Sequence, residues 1–149
     1  MIDLAQLYRQ VIMDNYKNPK NKGLIDDPSY IQVHLKNPSC GDDMHVCCHI
    51  DGDKIVDIRH DGHGCSICCS SASVMSELLK GKKISEATSI INNFYEMVKG
   101  NPLPDEDIMD EAIAYKSVSQ FPARIKCATL AWKAIEEAIK EESGDSNAK

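Results

Sequence analysis

The sequence predicts an α+β fold in which a three-stranded antiparallel sheet is packed with several helices. An N-terminal amphipathic stretch comes first, an alternating pattern with a hairpin signal follows, and the second half shows only helical spacing of apolar residues. With 149 residues, 42% of them hydrophobic, the chain has the size of one domain that can bury a substantial core.

The first half of the chain predicts one helix and then three strands. Apolar residues recur at helical spacing in residues 4–12, and a turn-rich basic segment, NYKNPKNKG, follows them. Apolar and polar residues alternate over residues 31–36. The segments 44–50 and 54–60 flank an Asp-Gly-Asp sequence, which is typical of a hairpin turn.

The second half predicts helices. Helical spacing returns after Cys65 and continues to Gly81, and Ser85 is the predicted N-cap of the next helix. An acidic stretch indicates a short peripheral helix around residues 108–113. Pro122 suits the first turn of a final helix, which is expected to fray in EESGDSNAK.

We expect one domain in residues 1–142, followed by a flexible polar tail in residues 143–149. No apolar run is long enough to span a membrane and no export signal is evident, so we expect a soluble, cytoplasmic protein without a membrane partner. A net charge of -6 and a pI near 5.3 argue against a nucleic-acid partner, since such partners require a basic face.

The seven cysteines indicate metal or redox chemistry rather than disulfides, because thiols stay reduced in the expected compartment. Three of them lie where the predicted chain changes state. Cys40 is in a turn, Cys65 lies where the hairpin gives way to a helix, and Cys127 lies in the first turns of the last helix. Unpaired backbone donors at a helix start stabilise a thiolate, so Cys65 and Cys127 are candidate metal ligands.

Asp42 follows Cys40 by two residues, and a turn could direct both side chains at one ion, although Asp43 is a neighbour that could be confused with it. Three thiolates and one carboxylate make a tetrahedral set for zinc, in which oxygen is the weaker ligand. Such a site carries a net negative charge and needs cations or donors beside it. Arg124 is our candidate for that supporting role. The spacing of the cysteines matches no common zinc-finger pattern.

Three motifs, NPSCGD, DGHGCSI with the following SSAS, and FPARIKCATLAW, resemble the cysteine motifs of the NifU-like iron-sulfur cluster assembly proteins. The resemblance covers nearly the whole chain, including YKNPKNKG. Within that family the chain resembles the SufU branch rather than the IscU branch. It has Lys126 where IscU proteins have a histidine, and an extra segment, roughly residues 100–118, separates its second and third cysteine motifs.

The resemblance implies a zinc-dependent sulfurtransferase. In that pattern Cys40 accepts persulfide sulfur from a SufS-type cysteine desulfurase, and the sulfur passes on to a SufB-containing scaffold complex. Asp42, Cys65 and Cys127 complete the zinc ligands, and a histidine of the desulfurase replaces Cys40 on the zinc. A thiolate attack of this kind is exchange chemistry, whose rate depends on the access to the thiol.

Two alternatives stay open at this point. The same four ligands could hold a [2Fe-2S] cluster, which would make the protein a cluster-assembly scaffold, although Lys126 in place of the IscU histidine argues against it. The ligands could also hold a purely structural zinc that joins the sheet to the last helix. A carboxylate ligand and an exposed turn at Cys40 make this second alternative less attractive.

The remaining cysteines and two histidines receive simpler interpretations. Cys47, Cys48, Cys68 and Cys69 are outside the recognised motifs, and we expect them to fill the core as small apolar residues. His60 and His63 precede Cys65 closely enough to be alternative ligands. We expect them to be solvated instead.

Overall fold

Four α-helices, three strands and one 3₁₀ segment make up the part of the chain that the structure, a computed structural model, describes, residues 3–143. The elements are α1 (Leu4–Lys17), β1 (Tyr30–Asn37), β2 (Asp42–Asp51), β3 (Lys54–His63), α2 (Ser66–Leu79), α3 (Ile84–Val98), the 3₁₀ segment (Asp107–Gln120) and α4 (Pro122–Ser143). The predicted α+β class and the three-stranded antiparallel sheet are confirmed.

The sheet has the order β1-β2-β3, and both strand pairs are antiparallel. Its two faces differ because successive side chains of a strand alternate between them. On β2, Met44, Val46 and Cys48 are buried in the core with residues of α2 and α4. Asp43 and His45 belong to the opposite, partly exposed face. The helices therefore cover one face of the sheet, which we call the inner face.

The core on the inner face is organised around α2, whose serines form hydrogen bonds to the helices around it. The Ser71 hydroxyl donates to the Ala128 carbonyl at 2.7 Å and accepts the indole N–H of Trp132 at 2.9 Å. Trp132 stacks on Phe94 with ring centroids 4.0 Å apart. These contacts fix α4 against α2, and α4 carries the third cysteine motif.

The predicted N-cap of α3 is wrong. Helix α3 begins at Ile84, and its N-cap is Lys83, whose backbone N–H donates to the Glu86 carboxylate at 3.2 Å. Ser85 is therefore inside the first turn. The Glu86 carboxylate thus satisfies the backbone N–H of the N-cap residue from within the first turn, as the third helical residue does in a capping box.

The acidic stretch is also longer and tighter than the predicted short helix around residues 108–113. It forms a 3₁₀ segment from Asp107 to Gln120. Asp110 interrupts it with φ 47° and ψ -131°, so the helical pattern breaks where the sequence suggested continuity. Its buried residues Met109, Ala112 and Tyr115 join the core, which anchors the segment to the domain.

Helix α4 extends to Ser143, where the predicted tail of residues 143–149 begins. The rest of that tail lies outside the described residues, so the boundary at residue 142 stays a prediction. Within residues 3–143 every helix is too short or too polar to cross a lipid bilayer.

The Ser71 hydrogen bonds give a prediction about stability. Replacing Ser71 by Ala leaves the buried indole N–H of Trp132 without its partner, and we expect the free energy of unfolding to fall by about 1–3 kcal/mol. Urea denaturation of both proteins measures the difference. Ser89→Ala, at an exposed position of α3, is the matched control and should change stability by less than about 0.5 kcal/mol. Equal stability of the two variants would contradict the proposed role of Ser71.

Candidate metal centre

Cys40 lies in the tight turn that joins β1 to β2. Its backbone N–H donates to the Asn37 carbonyl at 3.2 Å, and Gly41 adopts φ +72°, a left-handed conformation that glycine accepts readily. The Cys40 side chain is exposed, and its Sγ lies 3.9 Å from the Ala123 carbonyl at the start of α4. The turn thus presents an accessible thiol beside the last helix.

Asp42, the predicted ligand, and its neighbour Asp43 lie on opposite faces of the sheet. Asp42 is buried, and its Oδ1 accepts the backbone N–H of Cys65 at 3.0 Å. Asp43 instead contacts His34, with its Oδ1 2.6 Å from the imidazole Nε2. Strand alternation therefore brings Asp42, and not Asp43, to the cysteines.

Cys40, Asp42 and Cys127 form a compact group whose possible ligand atoms all lie within 4.8 Å of one another. Asp42 and Cys127 are buried, whereas Cys40 is exposed. The side-chain amide of Asn37 lies 3.4 Å from Asp42 Oδ2 and 3.8 Å from Cys127 Sγ. This group lies at one end of the domain, with one side open to solvent.

Cys65 is adjacent to this group as the N-cap residue of α2. It is half-buried, and its thiol interacts with the Cys127 thiol and with the Arg124 guanidinium. It is not part of the trio whose ligand atoms all lie within 4.8 Å. Coordination by all four predicted ligands would therefore draw the Cys65 thiol towards the trio.

The surroundings of Cys127 favour the protonated thiol in the absence of a metal. Burial raises the pKa of the Cys127 thiol, and hydrogen bonds with Asp42, Cys40 and Cys65 raise it further. We expected the start of α4 to favour a thiolate at Cys127. Burial outweighs that effect, because Cys127 lies beyond the first turn, where the influence of the helix end is weak. A bound divalent cation would reverse this balance, because positive charge favours the ionised thiol.

Arg124 supplies positive charge at the rim of the group. The Cys65 thiol, and then a hydrogen bond to Cys127, raise the pKa of the guanidinium above its usual range. The charged guanidinium in turn favours the ionised thiols. Lys126, also in α4, is exposed.

The donor set suits zinc. Sulfur and carboxylate oxygen are both zinc ligands, and three such groups meet here, with Cys65 adjacent and with an amide donor and a guanidinium at their edge. A divalent cation would offset the mutual repulsion of these ligands in their ionised form. The arrangement therefore fits a metal ion.

Gly64 sets the distance between β3 and Asp42. A Cβ at this position would lie 2.3 Å from Asp42 Oδ1, too close for any side chain. The glycine in the DGHGCSI motif is thus required so that the chain can enter α2 directly against the Asp42 carboxylate. That approach also permits the hydrogen bond from Cys65.

The alternative ligands lie elsewhere. His60 is buried rather than solvated, so that prediction is wrong: its Nε2 lies 2.7 Å from the Lys20 carbonyl, and burial lowers its pKa. His63 is exposed, as expected. It lies opposite Asp43 in the register of β2 and β3 and is outside the compact trio.

The additional cysteines are mostly core residues, as expected. Cys47, Cys48 and Cys68 are fully buried, and burial raises the pKa of Cys48 to about 12. Cys69 is the exception because it is half-buried and lines a small cavity of about 200 Å³ next to Gly64.

Sequence reasoning missed Asn37 as part of the site. Its amide approaches both the Asp42 carboxylate and the Cys127 sulfur, although ninety positions separate it from Cys127. The signal was present in the NPSCGD motif, whose first residue is this asparagine. Only the packing of α4 on the strands shows why an amide donor is placed there.

The known proteins that resemble this chain belong to one family. The family model described as the NifU-like N-terminal domain matches residues 7–95. The zinc-dependent sulfurtransferase SufU of Bacillus subtilis is 46% identical over 95% of this chain and 95% of its own length. The iron-sulfur cluster assembly scaffold protein IscU of Streptococcus pyogenes is 42% identical over 92% of this chain and 85% of its own length.

A solved structure of a related protein confirms the fold. A protein of thermophilic Fervidobacterium islandicum AW-1, described as an iron-sulfur cluster assembly scaffold protein for the SUF system, superimposes with a TM-score of 0.82 at 38% identity. The match covers 89% of this chain and 96% of that protein.

The close approach at Gly64 gives a prediction about metal affinity. Gly64→Ala would displace the Asp42 carboxylate, and we expect zinc to bind about tenfold more weakly or worse, as measured by chelator competition. Gly52→Ala is the control, because Gly52 also has a positive φ but nothing lies within 4 Å of an added Cβ. If Gly64→Ala bound zinc as tightly as Gly52→Ala, the structural role of Gly64 would be refuted.

Proposed function

The chain belongs to the family of NifU-like N-terminal domains, and we propose that it is a zinc-dependent sulfurtransferase of iron-sulfur cluster assembly, with Cys40 as the sulfur acceptor. The observation that carries this proposal is the difference in exposure within the compact trio. Cys40 is exposed, while Asp42 and Cys127 are buried. One thiol is therefore open to a partner, and the others are placed to hold a metal.

The proposed zinc ligands are Cys40, Asp42, Cys65 and Cys127. Two observations support the set: the compact trio, and the position of Cys65 beside Cys127 and Arg124. When bound, zinc would supply the positive charge that keeps the cysteines ionised at neutral pH. Asn37 and Arg124 would stabilise the same negative charge from the edge of the site.

The transfer step requires a free Cys40 thiolate. Its sulfur attacks the terminal sulfur of a persulfide on the desulfurase, the partner's sulfur-sulfur bond breaks, and the partner's cysteine leaves as a thiolate. Cys40 then carries the persulfide. No electron is gained or lost overall, because one sulfur-sulfur bond replaces another.

The structure of the turn supports this role for Cys40. An added Cβ at Gly41 would meet open space, and the exposed Cys40 thiol has a long contact to the Ala123 carbonyl and one contact to the Cys127 thiol, so it is held less firmly than the buried ligands. Asp42, by contrast, is held by the backbone of Cys65 and by Asn37. Cys40 is therefore the ligand that can leave the metal at the smallest structural cost.

The partners we propose are a SufS-type cysteine desulfurase as donor and a SufB-containing scaffold complex as the destination of the sulfur. A cytoplasmic location follows from such partners. Phe121 is 59% exposed and precedes by two residues Ala123, whose carbonyl lies 3.9 Å from Cys40 Sγ, so we propose it as an apolar contact for a docking protein.

A scaffold function is the second candidate, and a specific observation favours it. The relative from Streptococcus pyogenes, 42% identical, is named a cluster assembly scaffold protein. The same thiols and carboxylate could hold a [2Fe-2S] cluster. Anaerobic reconstitution with iron and sulfide decides between the two: a stable cluster with visible absorption bands would favour the scaffold, and its absence would favour sulfur transfer.

Cysteine variants separate acceptance of sulfur from binding of metal. With a SufS-type desulfurase and L-cysteine, we expect Cys40→Ala to abolish stimulation of alanine release. Cys65→Ala and Cys127→Ala should fail together with a loss of bound zinc, measured by elemental analysis. Cys69→Ala, a half-buried cysteine outside the ligand set, is the control and should keep both properties. Full stimulation by Cys40→Ala would remove the acceptor assignment.

The role of Asp42 gives a further prediction. Asp42→Ala removes one proposed ligand while the core beneath it stays intact, so we expect weaker zinc binding with an unchanged circular dichroism spectrum. Asp51→Ala, at the exposed far end of β2, is the control for a loss of negative charge. An unfolded Asp42→Ala protein, or one with unaltered zinc affinity, would contradict the assignment.

A further inference from the structure

We propose that His34, Asp43 and His45 form a second binding site, weaker than the first, for a divalent transition-metal cation such as zinc. The three side chains lie on the face of the sheet opposite the inner face, which we call the outer face. Their possible ligand atoms are all within 4.8 Å of one another. This site does not depend on the proposed function.

The register of the sheet builds the cluster. His34 of β1 lies directly opposite His45 of β2, and Asp43 precedes His45 by two residues on the same strand. Side chains two residues apart on a strand share a face, and directly opposed residues of neighbouring strands share it as well. Three potential ligands therefore come together without any loop.

The two imidazoles lie face to face beside one carboxylate oxygen, so each ring would have to tilt before its Nε2 lone pair could point at a shared ion. Their rings stack with centroids 3.8 Å apart and an angle of 10° between the planes. The Nε2 atoms of His34 and His45 lie 2.6 Å and 3.8 Å from the same oxygen, Asp43 Oδ1. Two nitrogens and one oxygen thus converge on one small volume.

These distances are close to what a tetrahedral ion requires. Ligand atoms about 2.0–2.2 Å from zinc lie about 3.4 Å from one another. The His34 contact of 2.6 Å would have to open by about 0.8 Å, and the His45 contact of 3.8 Å would have to close by about 0.4 Å. The side chains of His34 and His45 are 40% and 44% exposed, so neighbouring packing does not oppose such adjustments.

The chemistry of the ligands selects the class of cation. Two imidazoles and one carboxylate suit zinc, nickel or copper better than magnesium or calcium, which prefer all-oxygen sites. The 3.8 Å separation is too long for a hydrogen bond, so Asp43 does not engage the Nε2 of His45, and metal binding would require that nitrogen to be unprotonated. Binding would require His34 to carry its proton on Nδ1.

The surroundings leave room for a cation and for further ligands. Asp43, His45, Asp61 and His63 line a shallow cavity of about 430 Å³ on this face. Asp61 lies opposite His45 on β3, and its carboxylate adds negative charge. Lys36 opposes a cation, but its Nζ is 4.0 Å from Asp43 Oδ2 and its side chain is 65% exposed, so it can turn towards solvent.

Counting bound metal tests the proposal. Zinc-loaded protein is dialysed to equilibrium against micromolar free Zn²⁺ at mildly alkaline pH, and the metal is measured by mass spectrometry. We expect the unaltered protein to take up a second equivalent and the double variant His34→Gln, His45→Gln to retain only the first. Proton NMR of the unaltered protein should show the imidazole signals of His34 and His45 shifting during the second addition.

His49→Gln is the matched control, because His49 lies two residues beyond Cys47 on the same face of β2 but outside the cluster. It should keep the second equivalent. Loss of that equivalent in His49→Gln, or its persistence in the double variant, would overturn the proposal. Cys40→Ala separates the two sites: the imidazole signals should still shift in this variant, whether or not sulfur transfer occurs at Cys40.

Discussion

The site depends on a buried carboxylate at the point where three parts of the chain meet. Asp42 opens β2, accepts the backbone N–H of Cys65 at the start of α2, and lies with Cys127 of α4 in one compact group. Burying a charge is costly unless hydrogen bonds or ions compensate it. The start of α2 supplies that compensation through a free N–H and the favourable end of the helix dipole. The carboxylate therefore fixes the hairpin against the helix.

Several features of the sequence follow from this constraint. Gly64 must lack a side chain because the connection from β3 to α2 passes directly against the Asp42 carboxylate. Asn37 is positioned to donate to both the carboxylate and the Cys127 sulfur. Ser71 of α2 fixes α4 by its hydrogen bonds with Trp132 and with Ala128, the residue after Cys127. Cys40, on its turn, is the exposed member of the compact trio, and this asymmetry is what a sulfur acceptor bound to a metal requires.

Much of the fold could be predicted because its periodicities are clear. The alternation in residues 31–36 and the Asp-Gly-Asp turn specified the sheet, and Pro122 located the last helix. The N-cap of α3 was mispredicted because Glu86 satisfies the end of the helix from within the first turn. The 3₁₀ segment was missed because its break at Asp110 is a backbone feature with no glycine or proline to mark it.

The candidate site was predicted from motifs, and the parts that were missed depend on register and packing. The family motif selected Asp42, but spacing alone did not separate it from Asp43, and His34 and His45 met only once the strand pairing was known. His60 was misjudged because a contact with the Lys20 carbonyl, forty positions away, buries it. Such long-range contacts leave no local pattern in a sequence.

The measurement that tests the central claim most directly is the mass of the Cys40 peptide after incubation with a SufS-type desulfurase and L-cysteine. The account predicts a gain of one sulfur atom on Cys40 and on no other cysteine, with release of alanine faster than by the desulfurase alone. An unmodified Cys40 peptide, or sulfur carried on Cys69 instead, would contradict it.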